Sequence, residues 1–263
     1  MATRARLDAE LVRRGLARSR EQAAAMVATG RVKVGGQTAV KAATGVDPAT
    51  ALLVEPEQGE TWVSRGGHKL AGALEHFHYR PTGRALDAGA STGGFTDVLL
   101  RRGAAEVVAV DVGYGQLAWS LRTDPRVTVL DRTNVRSLQL ADIGDPVDLV
   151  VADLSFIPLG VVLPALVRCA RPDADLMVMV KPQFEVGRER LPNGGVVREP
   201  GQRADAVRRV AGQAGSLGLG VQGVTASPLP GPSGNVEFFL WLRADAPPLA
   251  EVALCAAVAD GPQ

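Results

Sequence analysis

With 263 residues, 46% of them hydrophobic, the chain is long enough for one sizeable α/β domain and a small companion. Its two cysteines, Cys169 and Cys255, lie far apart and provide neither a disulfide framework nor a metal quartet, so a reduced, cytoplasmic setting without a metal is expected. The net charge of +1 hides an asymmetry: residues 1–41 carry nine Lys/Arg against three Asp/Glu, a balance of +6, and the other 222 residues sum to −5.

Such concentration of positive charge at one end suggests a polyanionic partner such as nucleic acid. The first ten residues lack the apolar run of a secretory signal. The most apolar stretch, 148–170, is interrupted by Asp153, Pro158, Pro164 and Arg168, so no membrane span is expected.

Residues 1–58 have the pattern of a small α+β module. Leu7, Leu11 and Val12 share one face of a predicted helix that Gly15 stops, and Ser19 with Gln22 makes a capping box for a second helix through Thr29. Val32 and Val34 alternate with Arg31 and Lys33 ahead of Gly35-Gly36, a strand entering a tight hairpin. The order R-x-R-L-D-x-x-L-V-R-R-G-L-x-x-S-R, then G-R-V-x-V-G-G, resembles the RNA-binding domain named after ribosomal protein S-four. That resemblance implies RNA phosphates facing Arg4, Arg6, Arg18, Arg20 and Lys41. Taken singly, each reads equally well as a solvated helix residue.

A linker is expected over 59–64. After it, Leu70, Leu74 and Phe77 fall at helical spacing, with Lys69 predicted to be exposed on the opening turn. The next stretch, 84–111, reads as strand, Gly-rich turn, helix and strand. Glycines at 89, 93 and 94 let a ligand approach the backbone, the helix N-terminus behind them offers free N–H groups, and Asp111 closes the second strand where an acid grips a ribose. The spacing is G-x-x-x-G with Asp87 two residues before Gly89, which fits S-adenosylmethionine better than a dinucleotide.

From there, apolar runs alternate with helical patterns. Strands are predicted at 127–130, 149–152 and 176–180, a helix at 207–217, and a closing pair of strands at 221–226 and 236–242, giving an α/β fold with a doubly wound, mostly parallel sheet. In such sheets ligands bind at the carboxyl ends of strands, which singles out Asp87, Asp111, Asp131 to Asn134, Asp153 and Lys181, with Glu237 just inside the last strand. Lys181 and Asp153 each follow a buried apolar run. A buried charge needs a partner, so each is expected to face the other or an opposite group.

Lys69, Asp153 in VADLSF, Lys181 in VMVKPQFE and Glu237 in GNVEFFLWL match the Lys-Asp-Lys-Glu tetrad of FtsJ-like ribose methyltransferases. Together with the first module and the W-V-S-R-G-G-x-K-L junction, the chain resembles the TlyA family of ribosomal RNA 2′-O-methyltransferases over residues 4 to about 243. One departure is Glu60, where the family carries an arginine ahead of Trp-Val, and any role of that arginine is not carried over.

The resemblance implies a class I, Rossmann-like methyltransferase domain over 65–245 with a seven-stranded sheet, an RNA-binding domain over 1–58 and a tail over 246–263. It implies methyl transfer from S-adenosylmethionine to a cytidine 2′-hydroxyl in ribosomal RNA of the small subunit, in some members also the large. It further implies an influence on capreomycin and viomycin susceptibility. Lys181 would be the base, Asp153 and Glu237 would orient it and the hydroxyl, and Lys69 would steady the developing oxyanion. Asp87, Gly89, Ser91, Thr92 and Gly93 would form the methionine and ribose pocket, Asp111 the ribose grip, and Asp131 with Asn134 the adenine end. Phe156 would stack on a flipped base, although a core phenylalanine is the commoner fate. The alternative from another class is a non-catalytic RNA-binding or haemolysin-like membrane-active protein.

Overall fold

The computed structural model describes residues 4–55, 61–187, 189, 191, 192 and 194–262. Glu60 and the start of the expected linker lie outside the described residues. The chain divides into two units, Met1–Thr61 and Trp62–Gln263.

The first unit contains β1 (Ala5–Arg6), α1 (Leu7–Arg13), α2 (Arg20–Ala28), β2 (Val32–Val34), β3 (Gln37–Thr38), β4 (Gly45–Val46) and β5 (Leu52–Val54). Leu7, Leu11, Ala23, Val27, Val32 and Val46 close its core. Gly35 and Gly36 take φ of +57° and +87° at the β2–β3 turn, the left-handed pair that a two-residue hairpin needs. At the start of α2 the Ser19 hydroxyl accepts from the Gln22 N–H at 3.1 Å. The predicted box is displaced by one residue, since the Gln22 amide oxygen takes the N–H of Arg18 at 2.7 Å instead of that of Ser19.

The second unit runs α3 (Arg65–His76), β6 (Arg84–Ala88), α4 (Gly94–Arg102), β7 (Glu106–Val110), α5 (Trp119–Arg122), β8 (Val127–Leu130), α6 (Leu140–Ile143), β9 (Val147–Ala152), α7 (Leu159–Cys169), β10 (Ala170–Val180), α8 (Pro182–Glu185), α9 (Pro200–Gly215), β11 (Gly220–Ala226), β12 (Phe238–Arg243) and α10 (Glu251–Asp260). Its seven strands lie in the order β11-β12-β10-β9-β6-β7-β8, parallel except for β12. Both faces are covered, as an all-but-parallel sheet requires. Leu86, Val150, Val178 and Leu240 pack on one side with α7 and α9, while Ala85, Val151, Met179 and Phe239 pack on the other with α3 and α4.

Three boundaries differ from the sequence reading. The α9 helix starts at Pro200, seven residues before its apolar periodicity, because a proline at the first helical position has no N–H to leave unpaired. Glu237 precedes β12 instead of lying inside it. The tail after Arg243 is partly helical, and Leu254 and Ala257 of α10 join the core.

Candidate active site

Parity along the strands brings the site together. Residues 149 and 151 of β9, 177 and 179 of β10, and 239 of β12 point to the face covered by α3. Continuing each alternation past the strand end aims Asp153, Lys181 and Glu237 at that same face. Register then sets their heights, for Val180 is level with Phe238 and Val178 with Ala152. The α3 helix lies over this face, and its buried side includes Lys69, Leu70, Ala73 and Leu74.

Lys69 is therefore not the exposed residue its place on the first turns suggested. It is 6% exposed, and its Nζ meets Glu237 Oε2 at 2.5 Å. Helical spacing alone located its neighbours but not the acid that draws the ammonium inward. Lys181 Nζ lies 2.6 Å from Asp153 Oδ1 and donates to the Ser155 hydroxyl at 2.9 Å. The Lys181–Asp153 contact is an ion pair without hydrogen-bond alignment, since Asp153 Oδ1 accepts no hydrogen bond. The four residues thus form two lysine–carboxylate pairs. Lys69, Asp153 and Lys181 line a cleft of about 290 Å³ with Ser64, Gly89, Ser91, Thr92, Phe95, Ser155 and Pro230. Glu237 lies beneath, 1% exposed, and a Cβ on Gly231 would come 2.6 Å from its Oε1.

Gly89, Ser91, Asp111, Asn134, Asp153 and Phe156 border an adjoining cavity of about 520 Å³, walled also by Leu154, Ile157 and Val162. Asp111 accepts the Ser91 N–H at 2.8 Å and the Gly113 N–H at 2.7 Å, which fixes its carboxylate at the cavity edge. Gly89 has φ +91°, and a Cβ there would stand 2.5 Å from the Asp153 carbonyl oxygen, so only glycine leaves this wall open. An apolar wall, an acid at a strand end and a bare backbone turn fit a nucleoside carrying a small amino-acid arm.

Of the other expected pocket residues, Asp87, Gly93 and Asp131 line neither the cleft nor the cavity. Asp87 is fully buried below the turn, where its Oδ2 accepts from the Thr96 hydroxyl at 2.6 Å, and burial pushes its carboxyl up to about 7. It supports the turn from beneath. Gly93 packs toward Leu117 and Leu121, with φ +97° at the start of α4. Asp131 turns to Arg122, 2.5 Å away, and that hydrogen bond holds its carboxyl below the usual range. Asn134 lines the cavity while its side chain also accepts the Arg136 N–H at 3.0 Å. Phe156 is not in the core: it is 91% exposed, with φ +65°.

Sequence reasoning passed over Ser155 and Pro230. Ser155 stands two residues after Asp153 in D-L-S-F, and the proline-rich loop leads directly to Glu237, so proximity to tetrad residues was the available signal. In the first unit, Arg4, Arg18 and Lys41 are exposed. Arg6 and Arg20 hold Asp8 at 2.9 and 3.1 Å, yet their side chains remain 51% and 59% exposed.

Two family models match the chain: FtsJ-like methyltransferase over residues 62–244 and S4 domain over residues 5–50. The 16S/23S rRNA (cytidine-2′-O)-methyltransferase TlyA of Mycobacterium tuberculosis is 65% identical over 244 residues, covering 92% of this chain and 91% of that protein. Hemolysin A of Brachyspira hyodysenteriae is 32% identical, covering 89% and 97%. A solved structure described as a hemolysin from Streptococcus thermophilus superimposes with a TM-score of 0.77 at 37% identity, covering 98% of this chain and 96% of that one. Among the described residues no helix is long and apolar enough to cross a membrane.

Proposed function

The chain belongs to the TlyA family of FtsJ-like methyltransferases, and on that premise we propose that it transfers a methyl group from S-adenosylmethionine to a cytidine 2′-hydroxyl of ribosomal RNA. The observation that carries this reading is the meeting of Lys69–Glu237 and Lys181–Asp153 at one cleft beside the Gly89 turn.

When bound, S-adenosylmethionine supplies an electrophilic methyl group; Gly89, Ser91, Thr92 and Asp111 would hold it, with Asn134 at the adenine end. A ribose hydroxyl is a weak nucleophile, and a positioned base must take its proton as it attacks. Lys181 is that base: its ammonium first releases a proton to solvent, and the neutral amine then takes the proton of the attacking hydroxyl. Its Nζ is aimed by Asp153 on one side and the Ser155 hydroxyl on the other, so its position is set before RNA arrives. Lys69, held by Glu237, keeps a fixed positive charge where the oxygen becomes negative.

Arg4, Arg18 and Lys41, with the exposed edges of Arg6 and Arg20, supply phosphate contacts in the first unit. Phe156, projecting from the site, stacks on the base extruded with the target ribose. Such an enzyme works on ribosomal subunits in the cytoplasm, and its loss would lower susceptibility to capreomycin and viomycin.

The test uses purified 30S and 50S subunits with labelled S-adenosylmethionine, and primer extension sensitive to ribose methylation. Wild-type protein should methylate a ribose in at least one subunit. Lys181→Ala should lower transfer by about 10²–10⁴-fold while RNA binding persists. Methylation of a base, or full activity in Lys181→Ala, would sink the reading.

A further inference from the structure

Directly after Lys181, the four-residue helix α8 holds the loop between β9 and α7. Lys181 reaches Asp153 and Ser155, the Phe184 ring lies 5.2 Å from the Phe156 ring at 48°, and Glu185 accepts the Leu159 N–H at 2.8 Å. The last contact closes the set. Pro158 precedes α7 and provides no side-chain cap, so an N–H of its first turn is satisfied by a carboxylate from another element.

Glu185 is 3% exposed, and its Oε2 makes no hydrogen bond. Arg209 donates to its backbone carbonyl at 2.7 Å, which anchors α8 to α9. Burying a carboxylate against a single N–H carries a stability cost that the side chain's own contacts only partly offset. Between the two ends of this brace stands Phe156, a bulky residue with positive φ, a conformation that persists only when its surroundings impose it.

We propose that Glu185 is a positioning residue: by holding the start of α7 it fixes the 153–158 loop, so that Phe156 is presented to the extruded base of the RNA substrate. The proposal rests on the methyl-transfer reading above. Glu185 touches neither RNA nor cofactor and acts through Phe156.

The experiment measures KM for ribosomal subunits, kcat, and S-adenosylmethionine affinity by calorimetry, for Glu185→Ala, Glu185→Asp, Glu185→Gln, Phe156→Ala and the double variant Glu185→Ala/Phe156→Ala. Loss of the Leu159 hydrogen bond should raise KM for RNA about tenfold in Glu185→Ala, and in Glu185→Asp, whose shorter side chain falls short of Leu159. Because Asp153, Leu154, Phe156 and Ile157 also border the cofactor cavity, cofactor affinity should fall no further in Glu185→Ala than in Phe156→Ala, and Glu185→Gln, which keeps an oxygen acceptor, should resemble wild type. The double variant should match Phe156→Ala alone. Should Glu185→Ala not fold, the Asp and Gln variants carry the comparison. Additive effects in the double variant, cofactor binding weaker in Glu185→Ala than in Phe156→Ala, or a wild-type KM in Glu185→Asp would overturn the proposal while wild-type activity stands. Wild-type protein inactive on both subunits would overturn the methyl-transfer reading and this inference together.

Discussion

Lys69 and Glu237, 168 residues apart in sequence, meet inside the larger unit with Nζ 2.5 Å from Oε2 and side-chain exposures of 8% and 1%. The pair joins α3 to the residue that precedes β12. It thereby ties the helix that follows the domain boundary to the far half of the sheet.

Removing one partner leaves the other buried and uncompensated. Glu237→Ala is expected to lower stability by about 3–5 kcal/mol, and Lys69→Met/Glu237→Leu to recover most of that loss, because no lone charge remains. Urea unfolding of the single and double variants checks this. Equal stability of Glu237→Ala and wild type would mean that the pair is open to water.

At Gly89 both the backbone and the available space exclude a side chain. Gly89→Ala must adopt φ +91° with its Cβ 2.5 Å from the Asp153 carbonyl, a cost of about 1–3 kcal/mol. Because the displaced segment also carries Asp153, calorimetry should show weakened S-adenosylmethionine binding as well. Retained affinity would count against Gly89 as part of the cofactor wall.

Asp87 gives the fold a pH dependence of defined sign. Burial raises its carboxyl to about 7 from an ordinary 3.8, so the folded chain holds a proton that the unfolded chain has already released between those values. Its stabilising contribution is full below pH 3.8 and is lost as pH rises through about 7. Asp87→Asn, uncharged throughout, should flatten this component of the stability profile, by an amount on the order of a few kcal/mol across the window. Unfolding curves at several pH values, wild type against variant, check it; parallel profiles would refute it.

The basic surface of the first unit predicts a salt dependence. Arg18→Ala and Lys41→Ala should each reduce the slope of log K against log salt for RNA binding by about 0.7–0.9. Neither should change the melting temperature, since both residues are exposed. Arg20→Ala differs, because it also removes one of the partners that hold the Asp8 carboxyl below its ordinary range. Filter binding across salt concentrations distinguishes phosphate contacts from merely solvated side chains.

Period-two and helical patterns made much of the architecture legible. Val107 to Val110, Leu149 to Ala152 and Leu176 to Val180 are strands where their apolar runs lie, and Gly35-Gly36 turns the small hairpin, because those signals are local. Asp153 and Lys181 stand out at the ends of apolar runs for the same reason, whereas Glu237 read as lying just inside its strand and in fact precedes it. Phe156 shows the limit, since its type suggests a core while the backbone turns it outward.

By itself the sequence determined the alternation of elements, the basic first unit, the glycine turn and the charges that follow the buried apolar runs. Tertiary structure alone decided that β12 enters between β10 and β11, level with Lys181, and that α3 covers the same face. It also decided that Asp87 is sealed beneath the turn and that Asp131 leaves the pocket for Arg122. The physical reason is that burial and pairing of a charge depend on which distant element lies opposite, and that is set by strand order and register across the whole sheet.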